Sequence, residues 1–415
     1  MLLLRAALVF ILAAWVSIRM VGPAFRDSDF FVRCDPEGGL RVQDFASHLR
    51  FTRAVWNGLT REAPGSIYTP AAHLQFMQTW TGKPRQVIDR ALPFGYSPTM
   101  LLVLGPLCPL PEVWAYSIWT GLGLTAVWWM TSPGRPLMLV ALLCFLSPLC
   151  LDCLALGQTA ILSTAALLFL ATSNNGGAGR PWKDEWVSAL VLWLLTAKPP
   201  LAVTAGAGLL ACRRWRPVIL AGGLTLLSTL ALVPLLGGGW AGDYWKLITG
   251  YDVEHADPAF AWSLVPSYMS NLRGILFLRV GIADGLASRI GSVAWVVSWI
   301  GLVGAGWRWG MCQAKAWSLT VLAFLLLAPH VTYTEDLHLY VLACLPLGVL
   351  PVWLMPAAVT GLVWLTPFAP ATAVGWRWPL PSFVGKLGLG LIVMRWGRGE
   401  RRLIQTACHS RLSML

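Results

Sequence analysis

Apolar runs recur along the whole chain: Leu2–Met20, Pro93–Pro111, Val113–Met130, Leu137–Leu151, Leu154–Ala171, Trp186–Cys212, Val218–Leu236, Gly291–Trp307, Ala316–Pro329, Tyr340–Leu354, Ala357–Val374 and Phe383–Met394. Some fall short of the roughly 20 residues that a helix needs to cross about 30 Å of hydrocarbon, so those must be tilted, broken or re-entrant. With 56% hydrophobic and 12% charged residues in 415, the solvent for most of the chain is lipid. The fold expected is all-α, a polytopic transmembrane bundle of about ten to thirteen spans. It reads as one integral-membrane domain over 1–415. A first span (1–21) is followed by an outer loop with interfacial helices (22–92), spans 93–236 with a helix broken at 198–200, a second long loop (237–290), spans 291–396 and a basic cytoplasmic tail (397–415).

The net charge of +12 is placed where membrane topology would put it, in "RRWR" at 213–216 and "RWGRGERR" at 395–402, which read as cytoplasmic flanks rather than as a nucleic-acid surface. The first run is span-length with no clear small-x-small cleavage site after it, so it reads as an anchor. Many of the 24 tryptophans stand beside run ends, as at Trp128, Trp129 and Trp186, an interfacial belt. Cys150 and Cys153 form a C-x-x-C by spacing, yet no histidines accompany the nine cysteines as a zinc site requires, and the pair reads as two membrane cysteines near a helix end.

The two long polar interruptions exceed ordinary connections and point to function. In the first, Val42, Phe45, Leu49, Thr52 and Trp56 recur at helical spacing, giving one apolar stripe with Arg41, Arg50 and Arg53 pointing elsewhere. Such a helix would lie in the headgroup layer, with Asp44 and His48, four residues apart, side by side. The second loop mixes aromatics, acids and Arg273. Inside the bundle, ionisable groups are functional candidates by default. They are Lys198 in "LLTAKPPLAVT", His330 in "LLLAPHVTYTEDLHLYVL", and Glu335, Asp336 and His338 in that same stretch; Gln158 adds an amide at the mouth of a span.

One useful carboxylate, several cations and a lipid-facing wall fit the transfer of a sugar from a lipid phosphate. The leaving group is already anionic, so the reaction needs a base for the acceptor and cations for the departing charge. Glycoside hydrolysis would instead want two opposed carboxylates. Asp27-Ser-Asp29 spells a metal-gripping pair, but a D-x-D beside Arg26 also reads as a solvated loop, and no metal or other cofactor is expected. A transporter or lipid flippase is the principal alternative, since it too would bury Lys198 and His330 in broken helices; a non-catalytic subunit of a membrane assembly is a third reading.

Taken in order, several motifs resemble glycosyltransferase family 87, the polyprenol-phosphate-mannose-dependent α-mannosyltransferases within the C-type integral-membrane glycosyltransferases. They are Asp44-Phe45 with the amphipathic helix after it, Asn57-Gly58, Tyr68-Thr-Pro70, "FGYSPTMLLVLGPLCPLP", "LGQ" at 156–158, "KPP" at 198–200, "SNLRG" at 270–274, and "APH" at 328–330 followed by Tyr333 and Asp336. Ser97 stands where the resemblance would have a proline. The resemblance implies an active site on the outer face of the cell membrane, where Asp44 deprotonates the acceptor hydroxyl and the sugar leaves polyprenyl phosphate in one inverting step without a metal. Within that frame His330, Arg273 and Lys198 are the candidates for the donor phosphate. Tyr96, Gln158, His48, Tyr68 and Asp336 are the candidates for the cavity and the substrate. The partners implied are a polyprenyl-phosphate sugar, a glycan or glycolipid acceptor and membrane lipid.

Overall fold

A computed structural model describes residues 2–27, 30, 32–34, 40–42, 44–59, 65–81, 94–132, 138–173, 182–249, 269, 271–328, 333–345, 354–365 and 382–394. Their regular elements are helices apart from one short antiparallel hairpin, β1 (Val32–Cys34) with β2 (Leu40–Val42), in which Val32 pairs with Val42. The helices are α1 (Leu2–Arg26), α2 (Asp44–Trp56), α3 (Pro70–Thr81), α4 (Pro98–Leu107), α5 (Glu112–Met130), α6 (Met138–Phe145), α7 (Pro148–Leu156), α8 (Ala160–Thr172) and α9 (Trp182–Leu195). They continue as α10 (Pro199–Ala211), α11 (Arg216–Leu236), α12 (Trp240–Thr249), α13 (Leu272–Ile275), α14 (Asp284–Trp309), α15 (Gln313–Leu327), a 3-10 segment (Tyr333–His338), α16 (Leu339–Cys344), α17 (Leu354–Leu365) and α18 (Ser382–Met394).

Among the described residues three helices are long and apolar enough to cross a membrane alone: α1, α11 and α14. The pairs α4 with α5 and α6 with α7 reach that length together but bend by 113° and 54°, which brings the number to five if each pair is one span. The bends have local causes. Pro106, Pro109 and Pro111 interrupt the first pair, and Ser147, which caps α7 by accepting the Cys150 N–H, precedes Pro148 in the second. The apolar runs expected to give about ten to thirteen spans therefore supply few uninterrupted helices and many short ones, among them α8, α10, α15 and α18.

Around α8 the core closes: α5 packs on one side, and the 3-10 segment and α16 on another. α9 runs along α11, while α10 packs on α14 and α15. The approach of α10 to α14 requires Gly306, where a Cβ would run into the Ala211 backbone, the small-residue packing that lets membrane helices touch. Arg5 is kept inside α1 by donating to the Trp128 carbonyl at 2.8 Å and lying over that indole.

Two features set the site's frame. First, α2 is more enclosed than a surface-lying helix: Phe45, Ala46, Ser47, Leu49, Phe51, Thr52 and Val55 are all buried, where the sequence pattern promised one stripe. Its arginines are held by protein groups. Arg50 grips Glu112 at the start of α5 by donating Nε and Nη2 to its two carboxylate oxygens, and Arg53 donates to the carbonyls of Cys108 and Leu110. Such two-pronged, charge-assisted pairing fixes orientation as well as distance. Second, α12 of the second long loop docks on the first. Ser66 donates to Asp243 at 2.8 Å, Ile67 N–H donates to the Leu236 carbonyl at 3.0 Å, and the Tyr68 and Tyr244 rings lie 4.7 Å apart.

Asp336 and Lys386, both wholly buried, form an ion pair at 2.5 Å, and Ser382 donates to the second carboxylate oxygen at 3.0 Å, tying α18 to the 3-10 segment. Removing one partner leaves a buried charge without its mate, so Lys386→Met should destabilise the protein by about 3–5 kcal/mol. Lys386→Met with Asp336→Leu should recover most of that loss, as read by thermal unfolding in detergent; equal losses in both variants would contradict this.

Candidate active site

Asp44 opens α2, and its position is set by the turn that ends α7. Gly157 there has φ +64°, the left-handed conformation that a side chain resists, and a Cβ at this position would collide with Phe45. The turn is held by Trp119, whose Nε1 donates to the Gly157 carbonyl at 2.9 Å, and by the Tyr116 hydroxyl, which donates to the Leu154 carbonyl at 2.6 Å. Both rings also pack on Phe45, at 5.5 Å and 6.0 Å. The next residue, Gln158, donates its Nε2 to the Asp44 carboxylate. The "LGQ" triplet thus supplies a tight turn, a close approach for α2 and an amide aimed at its acid.

Tyr96 comes from the segment leading into α4. Its ring meets His48 edge-on at 4.7 Å, its hydroxyl is hydrogen-bonded to Thr159 at the start of α8, and its carbonyl accepts from the Tyr68 hydroxyl at 3.1 Å. Tyr68 is itself buried behind Tyr96. Lys198 sits in the break between α9 and α10, where Pro199 and Pro200 start a new helix, and its ammonium pairs with Glu335 of the 3-10 segment. Its charge is felt at both Asp44 and His48.

Burial raises the half-buried Asp44 carboxyl from 3.8 to about 6, and the Lys198 charge opposes that rise. His48 is driven down to about 3 by burial and then by Lys198, so it is neutral at physiological pH and offers no second positive charge to Asp44. Desolvation therefore outweighs the cation at Asp44, leaving an acid that is ionised at neutral pH but basic for its type.

Next to this group lies a cavity of about 570 Å³ between α4, α5, α8, α9 and α10. Its walls are mostly leucine, alanine and tryptophan, including Trp119, Trp129, Leu162 and Leu195, while Tyr96, Thr159 and Lys198 supply polar groups. Two lining residues, Leu122 at 50% and Leu194 at 43% exposure, also face outward on α5 and α9, so the cavity borders the apolar exterior of the bundle.

The structure gathers Asp44, His48, Tyr96, Gln158 and Lys198, with Tyr68 propping Tyr96. Two other expected residues lie on different elements. Arg273 is fully buried on α13 beside Gly291 of α14, and Asp336 is taken up by Lys386 and Ser382. His330 lies outside the described residues, though Asn271, next to α13, donates to the Ala328 carbonyl at 2.6 Å, two residues before it. Asp27 ends α1, its partner Asp29 lies outside the described residues, and among those described no three His, Cys, Asp or Glu side chains gather as metal ligands. Cys150 and Cys153 are buried free thiols.

Sequence reasoning missed three contributors: Glu335 as partner of Lys198, Thr159 as partner of the Tyr96 hydroxyl, and the Arg50–Glu112 latch. Their signal was faint. Thr159 follows Gln158 directly, and Glu335 stands beside the acid that was chosen.

In this helical membrane protein an enclosed acid, Asp44, and a lysine, Lys198, thus stand at the head of an apolar cavity. The model of glycosyltransferase family 87 matches residues 94–331, more than half of the chain, and the protein belongs to that family. It is a membrane glycosyltransferase, using a sugar donor and an acceptor. No curated protein and no solved structure matches it.

Gly157→Ala tests the turn. A side chain in the left-handed region, pressed on Phe45, should cost about 1–3 kcal/mol. Thermal unfolding in detergent should show that loss, and a variant as stable as the wild type would mean that α2 does not depend on this turn.

Proposed function

We propose that this glycosyltransferase moves a hexose, read as mannose, from a polyprenyl-phosphate donor to an acceptor hydroxyl at the outer face of the cell membrane, without a metal. The observation that carries the reading is the apolar cavity headed by Lys198 in the field of Asp44. A polyprenyl chain needs a greasy channel open to the bilayer, and its phosphate needs a cation where that channel ends. A nucleotide sugar has no use for such walls. Lys198 takes the donor phosphate in this account, with His330 and Arg273 as further cationic candidates, and Tyr96 and Gln158 shape the space for the sugar.

The chemistry follows from the charges. Asp44 accepts the proton of the acceptor hydroxyl while that oxygen attacks the anomeric carbon from the side opposite the phosphate. The bond from anomeric carbon to phosphate oxygen breaks, its electron pair leaves with the lipid phosphate, and Lys198 stabilises the added charge. One displacement inverts the configuration. The leaving group is already an anion, so no general acid is required. Gln158 holds the carboxylate in one orientation, which is worth more than pairwise attraction because a base misplaced by an ångström loses orders of magnitude in rate.

The test is transfer of labelled sugar from a panel of polyprenyl-phosphate sugars by purified enzyme. Asp44→Asn, nearly isosteric, should lower turnover by at least about a thousandfold while leaving folding intact. Turnover at the wild-type level would remove Asp44 from the role of base.

Two pH effects follow from the Asp44 carboxyl standing at about 6 rather than 3.8. The base must be ionised, so kcat/KM should be level above that pH and fall about tenfold per pH unit below it. Stability runs the other way. The folded chain holds this proton more tightly than the unfolded one, so Asp44's contribution declines as pH rises from 3.8 to about 6 and stays lost above it. Asp44→Asn should therefore unfold at a higher temperature than the wild type at pH 7, and a lower one would contradict the burial argument.

A further inference from the structure

Lys198 and Tyr96 belong to segments about a hundred residues apart, and nothing in either helix alone sets their separation. Ser97 does. Its backbone N–H donates to the Ala197 carbonyl at 3.0 Å, and its hydroxyl donates to the Thr196 carbonyl at 2.5 Å. The same hydroxyl oxygen accepts the Thr99 N–H at 3.3 Å, capping α4. The Thr99 and Thr196 hydroxyls meet at 2.9 Å; Thr196 gives its own proton to the Trp193 carbonyl, which leaves Thr99 as the donor. Ser97 and Thr99 are both buried, so these bonds form away from competing water.

The consequence is a clasp between two irregular pieces of backbone. Residues 196 and 197 follow the end of α9 and precede Lys198, and without the clasp their carbonyls would be unsatisfied in an apolar interior. Residues 96 and 97 likewise precede α4. Each segment supplies what the other lacks, and the two functional side chains, Tyr96 and Lys198, sit on its opposite ends at the same cavity.

We propose that Ser97 is a positioning residue for the transfer, joining the segment of Tyr96 to the segment of Lys198 so that the cation meets the donor phosphate in register with Asp44. The inference rests on the polyprenyl-phosphate reading above. It adds a residue that touches neither substrate nor reacting atoms and acts through Lys198.

The experiment uses full-length protein in detergent or nanodiscs with a polyprenyl-phosphate sugar as donor. Ser97→Ala removes the hydroxyl bonds but keeps the N–H bond, and should raise the donor KM about tenfold, with acceptor KM little changed. Ser97→Thr keeps the hydroxyl and should restore most of it, whereas Ser97→Pro, which lacks both donors, should do more damage than Ser97→Ala. A second readout separates positioning from general loosening. The titratable groups facing Asp44 among the described residues are His48, Tyr96, Cys153 and Lys198, and the Lys198 charge is what holds the Asp44 carboxyl down. A displaced Lys198 should move the acid limb of the kcat/KM profile upward from about 6. Ser147→Ala, which removes a similar cap from α7 outside the clasp, should lose stability without moving that limb.

Wild-type donor KM and an unmoved acid limb in Ser97→Ala would overturn the proposal. If that variant does not accumulate, Thr196→Val decides: it deletes the Thr196 hydroxyl, and with it the bonds to Thr99 and to the Trp193 carbonyl, and a raised donor KM with a moved acid limb supports the clasp while wild-type values refute it. Should the wild-type protein transfer no sugar from any polyprenyl phosphate, the donor reading itself fails and this inference falls with it.

Discussion

The site depends on one electrostatic imbalance: a carboxylate taken out of water more completely than its neighbouring cation compensates. Asp44 is enclosed by α2's own packing, by the Gly157 turn and by Gln158, while Lys198 reaches it as a field rather than as a contact because its ammonium is engaged by Glu335. A direct Asp44–Lys198 ion pair would hold the carboxyl low and make it a poor base. Pairing the lysine with a different acid leaves Asp44 ionised at neutral pH and still willing to take a proton. The fold's irregularities serve that separation. The left-handed Gly157 and the break at Lys198 each interrupt a helix near this group.

In the proposed mechanism, stability and function are set against each other at Asp44. Arg50 and Arg53 fasten α2 to Glu112 and to the carbonyls that follow α4, so the helix that carries the buried acid is held by bonds made well away from it. The Asp336–Lys386 pair and Ser382 do the same for the segment that carries Glu335. Strong contacts at a distance keep in place a group whose own burial is unfavourable.

Much of this was legible in the sequence, and the limits have physical reasons. Asp44, Gln158 and Lys198 stand out because a polar side chain beside long apolar runs is expensive without a purpose, and Tyr96 stands out by the resemblance of its segment. Their convergence was not legible, since hydropathy describes each run alone and says nothing of how a broken helix brings Lys198 beside Tyr96. Arg50 and Arg53 were legible only as pointing away from the apolar stripe, because helical periodicity separates apolar from charged positions but cannot place Glu112 opposite them. Asp336 stood out over Glu335 by resemblance, yet the structure gives Asp336 to Lys386 and Glu335 to Lys198. Among the described residues the apolar runs give fewer uninterrupted full-length helices than spans expected, in part because proline and serine at 106–111 and 147–148 bend them in ways that averaging over a window hides. Ser97 reads as a departure where a proline was expected. Its N–H and hydroxyl bonds to residues 196 and 197 show what such a departure provides.

The most direct test of the central claim is the structure of the protein in a lipid nanodisc with a non-transferable polyprenyl-phosphonate sugar bound. The lipid chain should occupy the cavity between α5, α8 and α9, with the phosphonate within hydrogen-bonding distance of the Lys198 ammonium and the anomeric carbon turned toward Asp44. A lipid chain lying elsewhere on the bundle, with its phosphonate remote from Lys198 and its sugar out of reach of Asp44, would contradict the account.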